Sequence, residues 1–225
     1  MKKSIVLLFL FATQLLYSQL SSVSNKTAYP FWINLPEKKV LENNPPILVF
    51  LHGRSLSGTD LNKVKRYGVL TAIQKGRKIP AIVIAPQVVN TAWDAEKVME
   101  VIQYVQANYK TDTNRVYVCG MSLGGYGTLE VASKFPDKIA AGVAICGGGN
   151  VKDACRMAKV PLWIQHGDKD TAVPLQESQN VVTAIKKCES QSELIFTIIE
   201  GASHGSVEQL FHEDAMYDWL FSHTR

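Results

Sequence analysis

The chain has 225 residues, of which 46% are hydrophobic and 20% charged, a composition typical of a globular protein. That length fits one α/β domain with a sizeable core. The net charge is only +4, and the longest basic cluster, residues 63–66, is typical of a solvated helix face. Nucleic acid is therefore not an expected partner.

The first predicted element is a secretory signal peptide over residues 1–18. Two lysines follow Met1, residues 5–16 are almost wholly apolar, and polar residues come next. The apolar run is short for a bilayer span, and no cysteine follows it that could carry a lipid. We therefore expect a single mature domain over 19–225, secreted or periplasmic, with no stable membrane anchor after signal cleavage. An uncleaved membrane anchor is the alternative.

Short apolar runs after residue 45 predict strands buried inside a parallel sheet. Proline or glycine bounds several of these runs, and each run includes β-branched residues. Segment 29–35, with Pro30 and Pro36 at its ends, is predicted to be an extra edge strand. The six buried strands are predicted at 47–51, 81–85, 116–119, 141–145, 162–165 and 194–199.

Helical patterns alternate with these strands at 61–75, 95–105, 122–133 and 175–187. A C-terminal helix is also expected, with an apolar stripe formed by Val207, Leu210, Phe211, Ala215 and Trp219. Strands and helices in alternation predict an α/β fold with a mostly parallel central sheet and helices on both faces. The stretch between Ile145 and Val160 is too short to form a large lid.

The central motif is Gly120-Met121-Ser122-Leu123-Gly124, which matches G-x-S-x-G between a predicted strand and a predicted helix. A sharp strand-to-helix turn would present the Ser122 hydroxyl above the sheet, and the two glycines leave the space it needs. A chance match in a glycine-rich loop is the alternative. The strand–turn–helix context favours Ser122 as a nucleophile.

A serine nucleophile needs a base to take its proton, and His204 is the best candidate. It follows the last predicted strand and precedes the C-terminal helix, so its loop is able to reach Ser122. His52 and His166 also lie at strand ends, but each directly precedes a glycine at a tight turn. Activity is expected to fall at acidic pH, where an imidazolium cannot accept a proton.

The base in turn needs a carboxylate that fixes its tautomer, and two aspartates compete for this role. Asp168 directly follows a turn glycine, where an aspartate commonly bonds its own backbone. Asp170 lies further along the loop and is favoured, with helix capping as its alternative role. The sequence thus offers Ser122, then Asp170, then His204, in that order along the chain.

An oxyanion needs preorganised donors, and the backbone N–H groups of Leu123 and Arg54 are the candidates. The Arg54 side chain either binds an acidic acyl group or a sugar, or faces outward. Trp93 is a candidate for stacking on a sugar or an aromatic acyl group, with a place in the core as its alternative. No metal and no cofactor are expected.

The four cysteines match no zinc-binding pattern. Cys119 and Cys146 end strands at the upper side of the sheet, beside the predicted site. Cys155 precedes a strand and Cys188 ends a helix, which places both at the opposite edge. A Cys155–Cys188 disulfide is therefore the predicted pairing.

The chain contains the segments LHGRSLSG, VIAPQ, VYVCGMSLGGYGTLEVASKFPDKIAA, IQHGDKDTAVP and EGASHG. Together these segments resemble the α/β-hydrolase superfamily. Within it, the chain is similar to the small lidless phospholipase/carboxylesterase and feruloyl-esterase-like enzymes and to related secreted peptidases. The resemblance extends over nearly all of the chain from Tyr29, and it implies Asp170 as triad acid, His204 as base and an eight-stranded sheet with an antiparallel second strand.

The expected activity is hydrolysis of carboxylic esters through an acyl-enzyme on Ser122. A lidless exported enzyme suits small-molecule esters or esters carried by a polysaccharide, with acetyl or feruloyl groups as the first candidates. A serine peptidase with the same triad is the first alternative. An exported binding protein that kept the fold without the chemistry is the second.

Overall fold

The computed structural model describes residues 19–90, 92–189 and 192–225. The predicted signal peptide at 1–18 lies outside the described residues. Within the described residues, no helix combines the length and apolar character needed to cross a membrane.

Eight strands form one sheet. In the sheet they run in the order β1-β2-β4-β3-β5-β6-β7-β8. Strand β2 is antiparallel to both of its neighbours, and every pairing from β4 to β8 is parallel. The strands are β1 (Gln19–Val23), β2 (Phe31–Leu35), β3 (Ile47–Leu51), β4 (Ile82–Pro86), β5 (Val116–Met121), β6 (Ala141–Ile145), β7 (Leu162–Gly167) and β8 (Leu194–Ile199).

Helices cover both faces of this sheet, as the alternating pattern predicted. Successive side chains along a strand point to opposite faces of the sheet. The fully buried β3 therefore contributes Ile47 and Val49 to one core, and Leu48 and Phe50 to the other. Helices α3 to α6 pack on the first face, while α2 and α7 pack on the second. The helices are α1 (Lys38–Leu41), α2 (Val69–Gln74), α3 (Ala95–Asn108), α4 (Leu123–Lys134), α5 (Ala154–Met157), α6 (Leu175–Ile185) and α7 (Asp214–Phe221).

The strand predicted at 29–35 is present as β2, but its predicted place at the edge of the sheet is wrong. Strand β2 lies between β1 and β4, and the edges of the sheet are β1 and β8. The residues of β1 read QLSSV, which includes no continuous apolar run, so its strand character was not recognisable by itself. Pairing with β2 supplies the backbone partners that make this polar segment a strand.

Two predicted helices are each interrupted. The segment 61–75 divides into a 3₁₀ helix at Leu61–Lys65 and α2, because Gly68 between them has a φ of 82°. The C-terminal segment divides at Glu213, whose backbone is extended, into a 3₁₀ helix at Ser206–His212 and α7. In α7 the buried residues are Met216, Tyr217 and Leu220, while the predicted Ala215 is exposed and Trp219 only partly buried.

The predicted disulfide between Cys155 and Cys188 is confirmed, with their Cα atoms 5.4 Å apart. It links the short helix α5 to the segment that follows α6. Cys119 and Cys146 are buried free thiols. Between β6 and β7 the chain forms only a 3₁₀ turn and α5, so no large lid covers the sheet there.

Candidate active site

Ser122 lies at the turn from β5 to α4 in a strained backbone conformation. Its φ of 59° and ψ of −122° are outside the regions that a non-glycine residue normally adopts. The Ser122 N–H donates to the Ile145 carbonyl at 2.8 Å, which ties the turn to the neighbouring strand β6. The sharp turn predicted from the G-x-S-x-G pattern is therefore present.

The two glycines of the motif allow the backbones of β3, β5 and α4 to approach one another closely. A Cβ on Gly120 would lie 2.4 Å from the Gly124 carbonyl oxygen. A Cβ on Gly124 would lie 1.8 Å from the Leu51 carbonyl oxygen. No side chain fits at either position, because the start of α4 packs directly against the end of β3.

His204 and Asp170 are brought together by the loops that follow β8 and β7. Nδ1 of His204 lies 2.6 Å from Oδ2 of Asp170. The Asp170 side chain is inaccessible to solvent, while that of His204 is 24% exposed. Because Nδ1–H donates a hydrogen bond to the carboxylate, Nε2 is the acceptor of the neutral imidazole. Ser122 and His204 line the same cavity, which has a volume of about 820 Å³.

The Asp170 carboxylate is held by more than its histidine partner. Its Oδ1 accepts N–H hydrogen bonds from Ala172 and Val173, each at 2.8 Å. Burial would raise the pKa of Asp170, but the hydrogen bonds from Val173, His204, Cys146 and Ala172 together lower it below the usual value. The carboxylate is therefore ionised at neutral pH and accepts a hydrogen bond from Nδ1–H of His204.

Asp168, the competing aspartate, has a different position. Its Oδ1 accepts the Gly201 N–H at 2.7 Å, and its Oδ2 lies 3.9 Å from Nζ of Lys169. Gly201 has a φ of 72° and begins the loop that carries His204. Asp168 therefore holds that loop, while Asp170 contacts the imidazole itself.

The loop after β3 reaches the turn at Ser122. A Cβ built on Gly53 would be 3.3 Å from the Ser122 Cβ, so the two loops touch. Arg54 begins a 3₁₀ helix and Leu123 begins α4, and both line the cavity. The side chain of Arg54 is exposed. The backbone N–H groups predicted as oxyanion donors thus lie at the start of a helix or helical turn, on two loops that meet at Ser122.

His52, predicted not to be the base, has a role that sequence reasoning missed. Its Nδ1 lies 2.7 Å from the Gly53 carbonyl oxygen, and the Val88 N–H donates to its Nε2 at 3.3 Å. Burial lowers the pKa of His52 to about 4, so the ring is neutral with its proton on Nδ1. Because C=O and N–H point in opposite directions across a trans peptide, holding the Gly53 carbonyl aims the Arg54 N–H away from His52.

Trp93 is buried, against the prediction that it stacks on substrate. It is 5% exposed, and the residues that line the cavity do not include it. Its indole N–H donates to the His52 carbonyl at 3.1 Å, and its ring packs edge-on against Tyr29. A Cβ on Gly127 would lie 2.7 Å from the indole, so α4 closes the other side. Trp93 therefore stabilises the loop after β3 from the core, through its hydrogen bond to His52.

Cys146 is a further residue near the site that the sequence did not single out for function. One ligand-type atom each of Cys146, Asp170 and His204 lies within 4.8 Å of the others. The geometry fits a metal poorly, because Asp170 and His204 are already hydrogen-bonded to each other and burial raises the pKa of the Cys146 thiol to about 12. The sequence signal that could have indicated a role for Cys146 is its position directly after β6, at the edge of the sheet where the site loops lie.

Aromatic and charged side chains complete the cavity. Tyr67 accepts the Gly53 N–H at 2.9 Å through its hydroxyl oxygen, which links it to the loop after β3. Tyr126 donates its hydroxyl to Glu177 at 3.2 Å. Glu208 also lines the cavity, and its Oε1 accepts the Gly68 N–H. Sequence reasoning did not identify these residues, because each reaches the cavity from inside or just beside a helical segment.

Comparison with known proteins gives the chain a family. The profile of the dienelactone hydrolase family matches residues 83–216, more than half of the chain. The chain is 33% identical over 104 residues to a bifunctional acetylxylan esterase/xylanase of Neocallimastix patriciarum, covering 44% of this chain and 15% of that protein. It is 30% identical over 147 residues to feruloyl esterase B of Neurospora crassa, covering 59% and 47%. The chain thus spans less than half the length of these curated relatives.

Solved structures agree on the fold. A thermostable esterase superposes with a TM-score of 0.76 at 25% identity, covering 92% of this chain and 63% of the other. A feruloyl esterase module from Clostridium thermocellum, in complex with sinapinate, superposes with a TM-score of 0.70 at 17% identity, covering 89% and 87%. The eight-stranded sheet and the helices on both its faces are those of the α/β-hydrolase fold. The chain belongs to the dienelactone hydrolase family.

Proposed function

We propose that this chain is an exported serine esterase that hydrolyses carboxylic esters through an acyl-enzyme on Ser122. The observation that carries the proposal is the arrangement around one cavity of Ser122, in its strained turn, and the hydrogen-bonded pair His204–Asp170. The relatives named as acetylxylan and feruloyl esterases support ester hydrolysis as the reaction.

In the first half-reaction, His204 takes the Ser122 proton while the serine oxygen attacks the ester carbonyl. Asp170 holds the imidazole by its Nδ1–H and stabilises the imidazolium that forms. The N–H groups of Leu123 and Arg54 donate to the tetrahedral oxyanion, and each such donor contributes about 3–4 kcal/mol. His204 then gives its proton to the departing alcohol oxygen.

In the second half-reaction, water attacks the acyl group on Ser122. His204 accepts a proton from this water, and the tetrahedral intermediate forms at the same two N–H groups. Collapse of the intermediate returns the proton from His204 to Ser122 and releases the carboxylic acid. These steps use only residues of the chain and water.

The proposed substrates are acetyl or feruloyl esters carried by a polysaccharide or a small molecule. A cavity of about 820 Å³ is large enough for an aromatic acyl group, and Tyr67 and Tyr126 supply aromatic surface in its lining. No large lid lies between β6 and β7, so a polymer has access from that side.

Export is part of the proposal, through cleavage of the signal peptide predicted at 1–18. The Cys155–Cys188 disulfide supports it, because such bonds persist in oxidising compartments outside the cytosol. The mass of the protein recovered from an exporting host tests it. A chain that begins near Gln19 is expected, whereas recovery of only the full-length chain would argue for retention.

An ester panel on wild type and Ser122→Ala tests the activity. We expect turnover of p-nitrophenyl acetate and methyl ferulate by wild type, labelling of Ser122 by a fluorophosphonate, and loss of both in Ser122→Ala. Peptide anilides in the same assay separate an esterase from a peptidase. Absence of labelling in a folded wild-type protein would favour a binding protein that has no hydrolase chemistry.

A further inference from the structure

His166 is a buried histidine that the proposed reaction does not use. It lies near the end of β7, its side chain is inaccessible to solvent, and both of its ring nitrogens have close partners. Nδ1 lies 2.8 Å from Oγ of Ser178, on α6. Nε2 lies 2.9 Å from the carbonyl oxygen of Val173, in the loop that also holds Asp170.

The protons in this cluster can be counted from its acceptors. Oγ of Ser178 lies 2.7 Å from the Gly147 carbonyl oxygen, which can only accept, so the serine proton belongs to that bond. Oγ must then accept a hydrogen bond from Nδ1–H of His166. The Val173 carbonyl oxygen can also only accept, so Nε2 of His166 must carry a proton too. All three hydrogen bonds form only when both ring nitrogens of His166 are protonated.

A neutral His166 leaves one close contact without a proton. If Nδ1 is bare, Ser178 has to donate to it, and two oxygen atoms then face each other at 2.7 Å in a buried place. If Nε2 is bare, it faces the Val173 carbonyl oxygen at 2.9 Å, again with no proton between them. Buried acceptors without donors are costly, so either neutral tautomer is unfavourable.

A buried cation needs a counterion, and Asp170 is in place to serve as one. Nε2 of His166 lies 3.5 Å from Oδ2 of Asp170, and both side chains are inaccessible to solvent. The other titratable groups around that carboxylate are His204, at 2.6 Å, and the Cys146 thiol and Tyr126 hydroxyl, which burial keeps protonated by raising the pKa of each to about 12. Asp170 is thus the anion that faces His166 in this cluster.

We propose that His166 is held as an imidazolium ion that pairs with Asp170 on the side opposite His204. His166 is then a positioning residue. It fixes the carboxylate and its loop to α6, and it offsets part of the negative charge that reaches His204. This last consequence rests on the proposed function, whereas the charge state of His166 does not.

Long-range ¹H–¹⁵N correlation spectra of ¹⁵N-histidine-labelled protein test the charge state directly. With His166 assigned through bonds from its backbone, we expect both ring nitrogens to show the shifts of protonated nitrogen at pH 8. One bare nitrogen at that pH overturns the proposal. In Asp170→Asn we expect a neutral ring at the same pH, and a ring that stays doubly protonated there overturns Asp170 as counterion. Gln176→Ala, an exposed change on α6, is the matched control and should leave the spectrum of His166 unchanged.

The pH dependence of kcat/KM tests the consequence for catalysis. In His166→Gln the positive charge is gone while an amide N–H is still able to reach the Val173 carbonyl. The carboxylate then stabilises the His204 imidazolium more strongly, so the acid limb is expected to move up by a few tenths of a pH unit. An acid limb that stays in place in a folded His166→Gln protein overturns this consequence. The spectra are read without substrate, so an inactive enzyme with a doubly protonated His166 would refute only the proposed function.

Discussion

Nδ1 of His204 lies 2.6 Å from Oδ2 of Asp170, although 34 residues separate the two along the chain. Asp168, only two residues from Asp170, instead accepts the N–H of Gly201 at 2.7 Å. Two neighbouring carboxylates thus bind the same loop, the one that follows β8. Asp168 accepts the N–H of Gly201 at the start of this loop, and Asp170 accepts the hydrogen bond of His204 further along it. This division of roles makes the pair suitable for a matched comparison of variants.

Asp170→Asn is expected to lower kcat for a p-nitrophenyl ester by about 10⁴-fold. An amide in this place favours the wrong imidazole tautomer and cannot stabilise the imidazolium, and that is the size of the effect in other serine hydrolases. Asp168→Asn is the control, because its side-chain oxygen is still able to accept the Gly201 N–H. Steady-state kinetics on both variants decide the matter, and equal losses would remove the distinction between the two aspartates.

The lowered pKa of Asp170 predicts a stability that depends on pH. A carboxyl group with a pKa below its unfolded value of about 3.9 stabilises the fold above that value, and this contribution is lost as the pH falls through the lowered pKa. The Tm of wild type should exceed that of Asp170→Asn near pH 7, and the two should converge on acidification. Calorimetry from about pH 7 to about pH 3 measures the gap. A gap that does not change over this range would contradict the ionised state.

The Cys155–Cys188 disulfide should be visible by a thiol count. Denatured but unreduced protein is expected to show two thiols, those of Cys119 and Cys146, and reduction should raise the count to four. Replacing both bridged cysteines by serine is expected to lower the free energy of unfolding by roughly 2–4 kcal/mol, since the bond constrains the unfolded chain. Urea denaturation of the double variant measures this loss, and four thiols before reduction would exclude the bond.

Gly124→Ala is expected to destabilise the fold by about 3 kcal/mol or to prevent folding. Its methyl group would lie 1.8 Å from the Leu51 carbonyl oxygen, so β3 and α4 would have to separate. Gly205→Ala is the control, because nothing lies within 4 Å of its added Cβ and its φ of −78° suits any residue. Thermal unfolding compares the two, and similar losses would mean that the close approach at Gly124 is unimportant.

Arg54→Ala tests the role of the guanidinium at the cavity. If the side chain binds an acidic acyl group, kcat/KM for esters that carry a carboxylate should fall by up to about fivefold relative to neutral esters, as suits an exposed ion pair. Arg54→Lys should retain most of the preference. An unchanged ranking of acidic and neutral esters in Arg54→Ala would mean that the side chain faces outward.

The positions of the buried strands along the chain were readable from the sequence, because a strand covered on both faces by helices must be apolar throughout. The bounds of the fully buried β3 and β6 match the predicted runs for this reason. Strand β8 also has its predicted bounds, but it lies at an edge of the sheet and is only partly buried. The G-x-S-x-G segment also predicted its own turn, since its two glycines lie where a side chain would collide with backbone atoms. The choice of Asp170 over Asp168 was possible from position in the loop, but the contact itself was not.

Only the tertiary structure decided the features that depend on partners far apart along the chain. The strand β1 is polar and forms because β2 offers its edge, and Trp93 lies in the core because His52, Tyr29 and α4 enclose it. The proposed double protonation of His166 likewise follows from acceptors on different segments. These acceptors are the Ser178 hydroxyl and the carbonyl oxygens of Gly147 and Val173. A local pattern fixes the backbone direction and the apolar face of a segment, whereas hydrogen-bond partners far along the chain are set only when the sheet brings its loops together.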